Sequence, residues 1–152
     1  MSKKISYRGK INVGEQTRIQ LRTLNGKKGY KITKFQVMST LPGDSGTGSP
    51  GTYEYICQIF NKDQTGKIST TVDFSNNELL AAIYYQDSHS AGDNQADTII
   101  FDNMKFNQDI FVTLTDATGG TTPANYYIEL ETMTLSDVES TQLTLQSLRN
   151  LH

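Results

Sequence analysis

Asp109-Ile110-Phe111-Val112-Thr113-Leu114, then a Gly- and Thr-rich stretch at 116–125, then Tyr126-Tyr127-Ile128-Glu129-Leu130-Glu131, read as two strands joined by a turn. Ile110, Val112 and Leu114 alternate with Asp109, Phe111 and Thr113, and Tyr126, Ile128 and Leu130 alternate with Tyr127, Glu129 and Glu131. Successive side chains on a strand point to opposite faces, so each segment offers one apolar face and one of polar or mixed character. Such segments bury one face only, which places them in a layered antiparallel structure.

Working outward, the same period recurs. Ile5 and Tyr7 alternate with Ser6 and Arg8, and Ile19, Leu21 and Thr23 alternate with Arg18, Gln20 and Arg22. Tyr30 and Ile32 open a third strand that Phe35 and Val37 continue on the opposite parity, which predicts a bulge near Thr33 and Lys34. Further strands are expected at 53–60, 82–85 and 98–101, and the turn at 61–66 predicts a hairpin whose second arm is 67–74. Ser75-Asn76-Asn77-Glu78 has the form of a capping box and predicts one helical turn through Leu79 and Leu80. Ser136-Asp137-Val138-Glu139 is a second such box, opening a helix at 135–149. On it Leu135, Val138, Leu145 and Leu148 share a face, whereas Leu143 and Leu151 fall outside and are candidates either for contact with a neighbour or for a tail buried on two sides within its own chain. The expected fold is mostly β: an antiparallel β-sandwich of jelly-roll-like form, with one short internal helical turn and a C-terminal α-helix.

One domain, 1–152, is the expectation, since this length buries roughly 70% of the unfolded surface without staples. The composition, rich in Thr and Tyr with eight Tyr, six Phe and no Trp, suits pleated surfaces. Cys57 stands alone in a strand-like run and reads as a small core residue. No run reaches the ~18 apolar residues of a membrane span, and Met-Ser-Lys-Lys-Ile-Ser-Tyr-Arg lacks the apolar stretch of a signal peptide, so a soluble protein made in the cytoplasm is expected. Ten of the 14 basic residues lie in the first 34 positions against one acid, Glu15, a net +9 that leaves −11 for the remainder. A basic stretch beside an acidic body can bind nucleic acid, a membrane surface, an acidic protein neighbour or another copy of itself, head to tail; no membrane partner is expected here, and nucleic acid is not the expected one.

Residues that could support catalysis are sparse. His89 and His152 lack an i+3 or i+4 His, Cys or Glu partner of the kind that suggests zinc, and no Ser stands in a Gly-x-Ser-x-Gly turn. Asp87, Asp93, Asn94 and Asp97 put oxygen ligands in one loop, but their spacing matches no EF-hand. The Gly-rich stretch at 42–51 is not followed by the Lys-Ser/Thr pair of a phosphate loop, and no nucleic-acid-reading motif accompanies the basic residues. These readings predict a protein that is not an enzyme and needs no cofactor or metal, with surfaces as its working parts. The residues expected to carry contacts are Arg8, Lys10, Arg18, Arg22, Glu129, Glu131, Leu143 and Leu151, the early arginines opposing the late glutamates either across the sheet or across a subunit boundary. Reversal of Arg18 and Arg22 to Glu is accordingly expected to weaken assembly more than folding.

Tyr7-Arg8-Gly9-Lys10-Ile11, Gly29-Tyr30-Lys31-Ile32-Thr33-Lys34-Phe35, Ile100-Phe101-Asp102-Asn103, Asn125-Tyr126-Tyr127-Ile128-Glu129-Leu130-Glu131 and Leu143-Thr144-Leu145-Gln146-Ser147-Leu148-Arg149 together resemble small structural proteins of tailed bacteriophages, many of them marine. The resemblance implies a virion component made in the host bacterial cytoplasm and present in many copies. It would decorate or cement the capsid, or alternatively form part of the head-to-tail connection or tail. Its partners would be copies of itself and other virion proteins such as the major capsid protein. From another class, a carbohydrate- or ligand-binding β-sandwich would need an exposed aromatic platform, for which Tyr53 and Tyr55, or Tyr84 and Tyr85, are candidates.

Overall fold

Burial follows the parity of the strands. Ile110, Val112, Leu114, Ile128 and Leu130 are wholly buried, and each such side chain removed from water contributes about 1.5–3 kcal/mol before conformational entropy is counted. A computed structural model describes residues 3–21, 26–41, 52–88, 95–101 and 104–149. In chain order these form β1 (Lys3–Ile11), β2 (Gln16–Ile19), β3 (Lys28–Ser39), β4 (Thr52–Phe60), β5 (Leu79–Ser88), β6 (Gln95–Ile100), β7 (Ile110–Asp116), β8 (Ala124–Thr134) and α1 (Asp137–Arg149).

Two antiparallel sheets result, ordered β1-β8-β3 and β2-β7-β4-β5-β6. Their inner faces meet in one core that includes Phe35, Ile59, Ile83, Leu114 and Ile128. Pairing of first with eighth, second with seventh and fourth with fifth strand is the wrapping of a jelly roll. Here β6 stays beside β5 while also packing along β3. The bulge lies where the parity switch predicts it, between Ile32 and Lys34.

The segment after β4 departs from expectation. Residues 67–74 are not the second arm of a hairpin but a strap over the outer face of the five-stranded sheet. Its carbonyls accept side-chain donors from the strands beneath: Gln58 Nε2 reaches Thr71 O at 3.2 Å, and Thr115 Oγ1 reaches Ser69 O at 3.5 Å. Nor does a helical turn follow. The amide and hydroxyl of Ser75 both donate to Asp73 Oδ1, at 2.9 and 2.6 Å, so Ser75 is held in a turn, and Leu79 already belongs to β5.

The C-terminal capping box does form: Glu139 N donates to Ser136 Oγ at 3.1 Å, and Ser136 N donates to Glu139 Oε1 at 3.4 Å. The face that α1 turns inward, however, is not the leucine stripe. Among the stripe's described side chains Leu135, just before the helix, is buried, while Val138 is 66% and Leu145 49% exposed. Polar groups hold the helix instead. Asn107, 1% exposed, donates to Gly26 O at 2.9 Å and to Thr144 Oγ1 at 3.2 Å, and Ser140 Oγ donates to the same Gly26 carbonyl at 2.9 Å. Gly26 has φ +65, and a Cβ there would lie 3.2 Å from Asn107 Nδ2. At Gly29 a Cβ would lie 2.6 Å from Leu135 Cδ2, so only glycine lets Leu135 seat against β3.

Cys57 lies fully buried in the core, as its strand-like surroundings predict, and burial pushes its thiol up from the ordinary range. It is expected to resist a thiol reagent such as dithionitrobenzoate in the native state and to react stoichiometrically in denaturant. Rapid reaction with native protein would contradict the packing.

Candidate functional site: the outer face of the three-stranded sheet

The register of β1, β8 and β3 builds the site row by row. Glu131 stands between Lys4 and Lys31, Glu129 between Ser6 and Lys34, Tyr127 between Arg8 and Gln36, and Asn125 between Lys10 and Met38. The glutamates of β8 therefore meet lysines across their own sheet, with Lys31 Nζ 3.9 Å from Glu131 Oε2. Within the chain their cross-strand neighbours are lysines of β1 and β3, with Ser6 beside Glu129. The arginine-bearing strand β2 lies in the other sheet.

Below these charged rows the face becomes a shallow depression of about 650 Å³, lined by Arg8, Lys10, Gln36, Met38, Asn125 and Tyr127. Met38 is 54% exposed. Tyr127 donates its hydroxyl to Glu129 Oε2 at 2.8 Å, and that carboxylate holds the phenol above its usual range. The ring is thus fixed by one hydrogen bond, whereas Arg8 and Lys10 have no ion-pair partner among the described residues. Comparison with protein-family models, curated proteins and solved structures finds no match for this chain.

Of the residues singled out in the sequence, Arg8 and Lys10 line the depression and Glu129 and Glu131 form the row of charges above it. Arg18 belongs elsewhere. Its Nε donates to Asp109 Oδ2 at 2.7 Å and its Nη2 donates to the same oxygen, while Leu21 N donates to Asp109 Oδ1 at 2.9 Å. Asp109 is buried, so Arg18 serves the fold. Leu143 is half-buried and lines a small concavity with Phe106, Asn107 and Gln108. Arg22 and Leu151 lie outside the described residues, as do His89, His152, Asp93, Asn94 and 42–51.

The aromatic platforms do not form. Tyr53 and Tyr55 are stacked at 5.5 Å but only 4% and 0% exposed, and Tyr55 also stacks on the half-buried Tyr85 at 5.8 Å. Tyr84 and Tyr85 are adjacent on β5 and point to opposite faces. Burial pushes the Tyr55 phenol up to about 12, the behaviour of a core group. A second concavity of about 270 Å³ lies under the strap, between Gln58 and Thr113 of the sheet and Lys67, Asp73 and Glu78 above. No group of three His, Cys, Asp or Glu suited to a metal ion occurs among the described residues.

Met38, Gln36 and Asn125 were not singled out by sequence reasoning. The available signal was the parity change at the bulge, which puts Gln36 and Met38 on the outward side with Lys34.

Proposed function

We propose that the chain is a structural subunit of a bacteriophage virion that decorates or cements the head shell through repeated protein–protein contacts. One observation carries the docking part of this reading: the depression between Arg8, Lys10, Met38 and Tyr127 on the three-stranded sheet. Arg, Tyr and Met are the residue types in which the centres of protein interfaces are enriched, and Tyr and Arg dominate their energetic hot spots. The outer face is also built on strands, so it meets a partner with little ordering cost. The step from a docking surface to a virion rests on the resemblance of Tyr7-Arg8-Gly9-Lys10-Ile11 and Asn125-Tyr126-Tyr127-Ile128-Glu129-Leu130-Glu131 to small phage structural proteins. Multivalency supplies the mechanism: contacts that are individually weak become strong when repeated over a shell.

The chain is expected to co-sediment with purified heads of the phage that encodes it. The pair Met38→Glu and Tyr127→Ala is expected to lower occupancy at least about tenfold while leaving the unfolding temperature within a few degrees. A folded chain that stays monomeric and is absent from purified particles would overturn the virion reading. Labelling of particles for electron microscopy distinguishes shell from neck and tail, and label confined to the neck or tail would replace decoration by a connector or tail-ring role.

A further inference from the structure

We infer that the free edge of β1 is a docking site for an extended strand of a partner protein in which acidic and apolar residues alternate. The inference deepens the proposed docking role, on which it rests for the partner being an assembly neighbour.

β1 is hydrogen-bonded to β8 on one side, and no strand pairs with its other side among the described residues. An edge of nine residues, all but Ile11 exposed or half-buried, is a template for an incoming strand, which would pair backbone groups that no described strand pairs. The side chains specify what can come in. The outward row of β1 is Lys4, Ser6, Arg8 and Lys10, whose cations lack ion-pair partners among the described residues. In the inward row Ile5 and Tyr7 pack against the core but remain only partly covered. An added strand would therefore need acids on its outer parity and apolar groups on its inner parity.

β8 already shows that solution on the paired side of β1. Its Glu131 faces Lys4, and its Ile128 and Leu130 sit opposite Tyr7 and Ile5. A strand of similar pattern on the free side would place β1 between two acidic–apolar neighbours. A second copy of β1 does not fit, because self-pairing would bring Lys and Arg opposite Lys and Arg, and like charges directly opposed destabilise a ladder. The basic edge thus rejects its own kind while accepting an acidic strand.

The test uses the intact chain, ¹⁵N-labelled, with a capped peptide of the β8 sequence Asn-Tyr-Tyr-Ile-Glu-Leu-Glu-Thr and a control peptide carrying Glu129→Lys and Glu131→Lys. Amide hydrogen exchange is read along β1. The acidic peptide is expected to slow exchange at alternate β1 amides by at least about tenfold, the period-two signature of strand addition. Arg8→Glu with Lys10→Glu is expected to weaken the peptide about tenfold with the fold intact, since both side chains are exposed. Absence of protection at millimolar peptide, equal protection by the lysine peptide, or protection that appears in the chain alone as its concentration rises would each overturn the assignment. The two readings separate cleanly. Particle binding without peptide protection leaves docking standing and removes the β1 edge from it, whereas peptide protection in a chain absent from particles keeps the edge and removes the virion.

Discussion

Replacing Arg18 by glutamate is expected to lower unfolding free energy by about 3 kcal/mol, seen as a lower urea midpoint with an unchanged slope. The side chain of Asp109 is only 6% exposed, and Arg18, itself 47% exposed, supplies two N–H donors to one of its oxygens. Glutamate removes both donors and sets a second negative charge beside a buried carboxylate. The half-exposed position of Arg18 lets water relieve part of the penalty, which keeps the figure at the lower end for a broken buried pair. Arg18→Lys keeps the charge and is expected to cost about 1 kcal/mol, because a single ammonium cannot reproduce the planar fork. A reversal that left the midpoint unmoved while reducing particle binding would restore Arg18 to the docking surface. The charge split along the sequence suggested that outcome, and the contact with Asp109 opposes it.

Asn107→Ala is expected to lower unfolding free energy by about 2–3 kcal/mol, the cost of leaving buried polar groups without partners. Asn107 links the carbonyl of Gly26 to Thr144, and so ties the approach to β3 to α1. Loss should appear first in α1, as faster amide exchange over 137–149 while β8 stays protected. A double-mutant cycle with Ser140→Ala, whose hydroxyl shares the Gly26 carbonyl, should show coupling of at least about 0.5 kcal/mol. If both substitutions were additive and α1 exchange unchanged, Asn107 would be packing in the core without anchoring the helix.

The sheet residues were legible because alternation and burial are the same fact seen at two scales. Ile110 to Leu114 and Tyr126 to Leu130 show it, and the bulge at Thr33 announced itself as a change of parity. The failures share a different cause. At 67–74 the turn at 61–66 suggested the second arm of a hairpin, but the backbone found partners in the side chains of Gln58 and Thr115 rather than in a neighbouring ladder. Ser75 had the spacing of a cap, and a local competitor, Asp73, took its amide and hydroxyl first. In α1 the apolar stripe looked like the buried face, yet Asn107, Ser140 and Thr144 supply the contacts, and a polar attachment leaves no hydrophobic period to detect. The partner of Arg18 lies 91 positions away, beyond any local signal. The depression was half visible: Arg8, Lys10 and the outward set of Tyr127 were evident, but only the register put Met38 and Asn125 beside them.

The wrapping of first strand onto eighth also sets a timetable. β1 and β8, its one partner strand among the described residues, lie roughly a hundred residues apart in the sequence, so β8 is translated well after β1. At roughly 5–20 residues per second that is several seconds of waiting, during which the three-stranded sheet cannot close. Long-range pairing of this kind makes folding slow and exposes strands to the wrong company. Like charges at Lys3, Lys4, Arg8 and Lys10 disfavour pairing of one unpaired β1 with another during that interval. The same cations that would select an acidic partner in the folded subunit thus also work against self-association of the strand before β8 pairs with it.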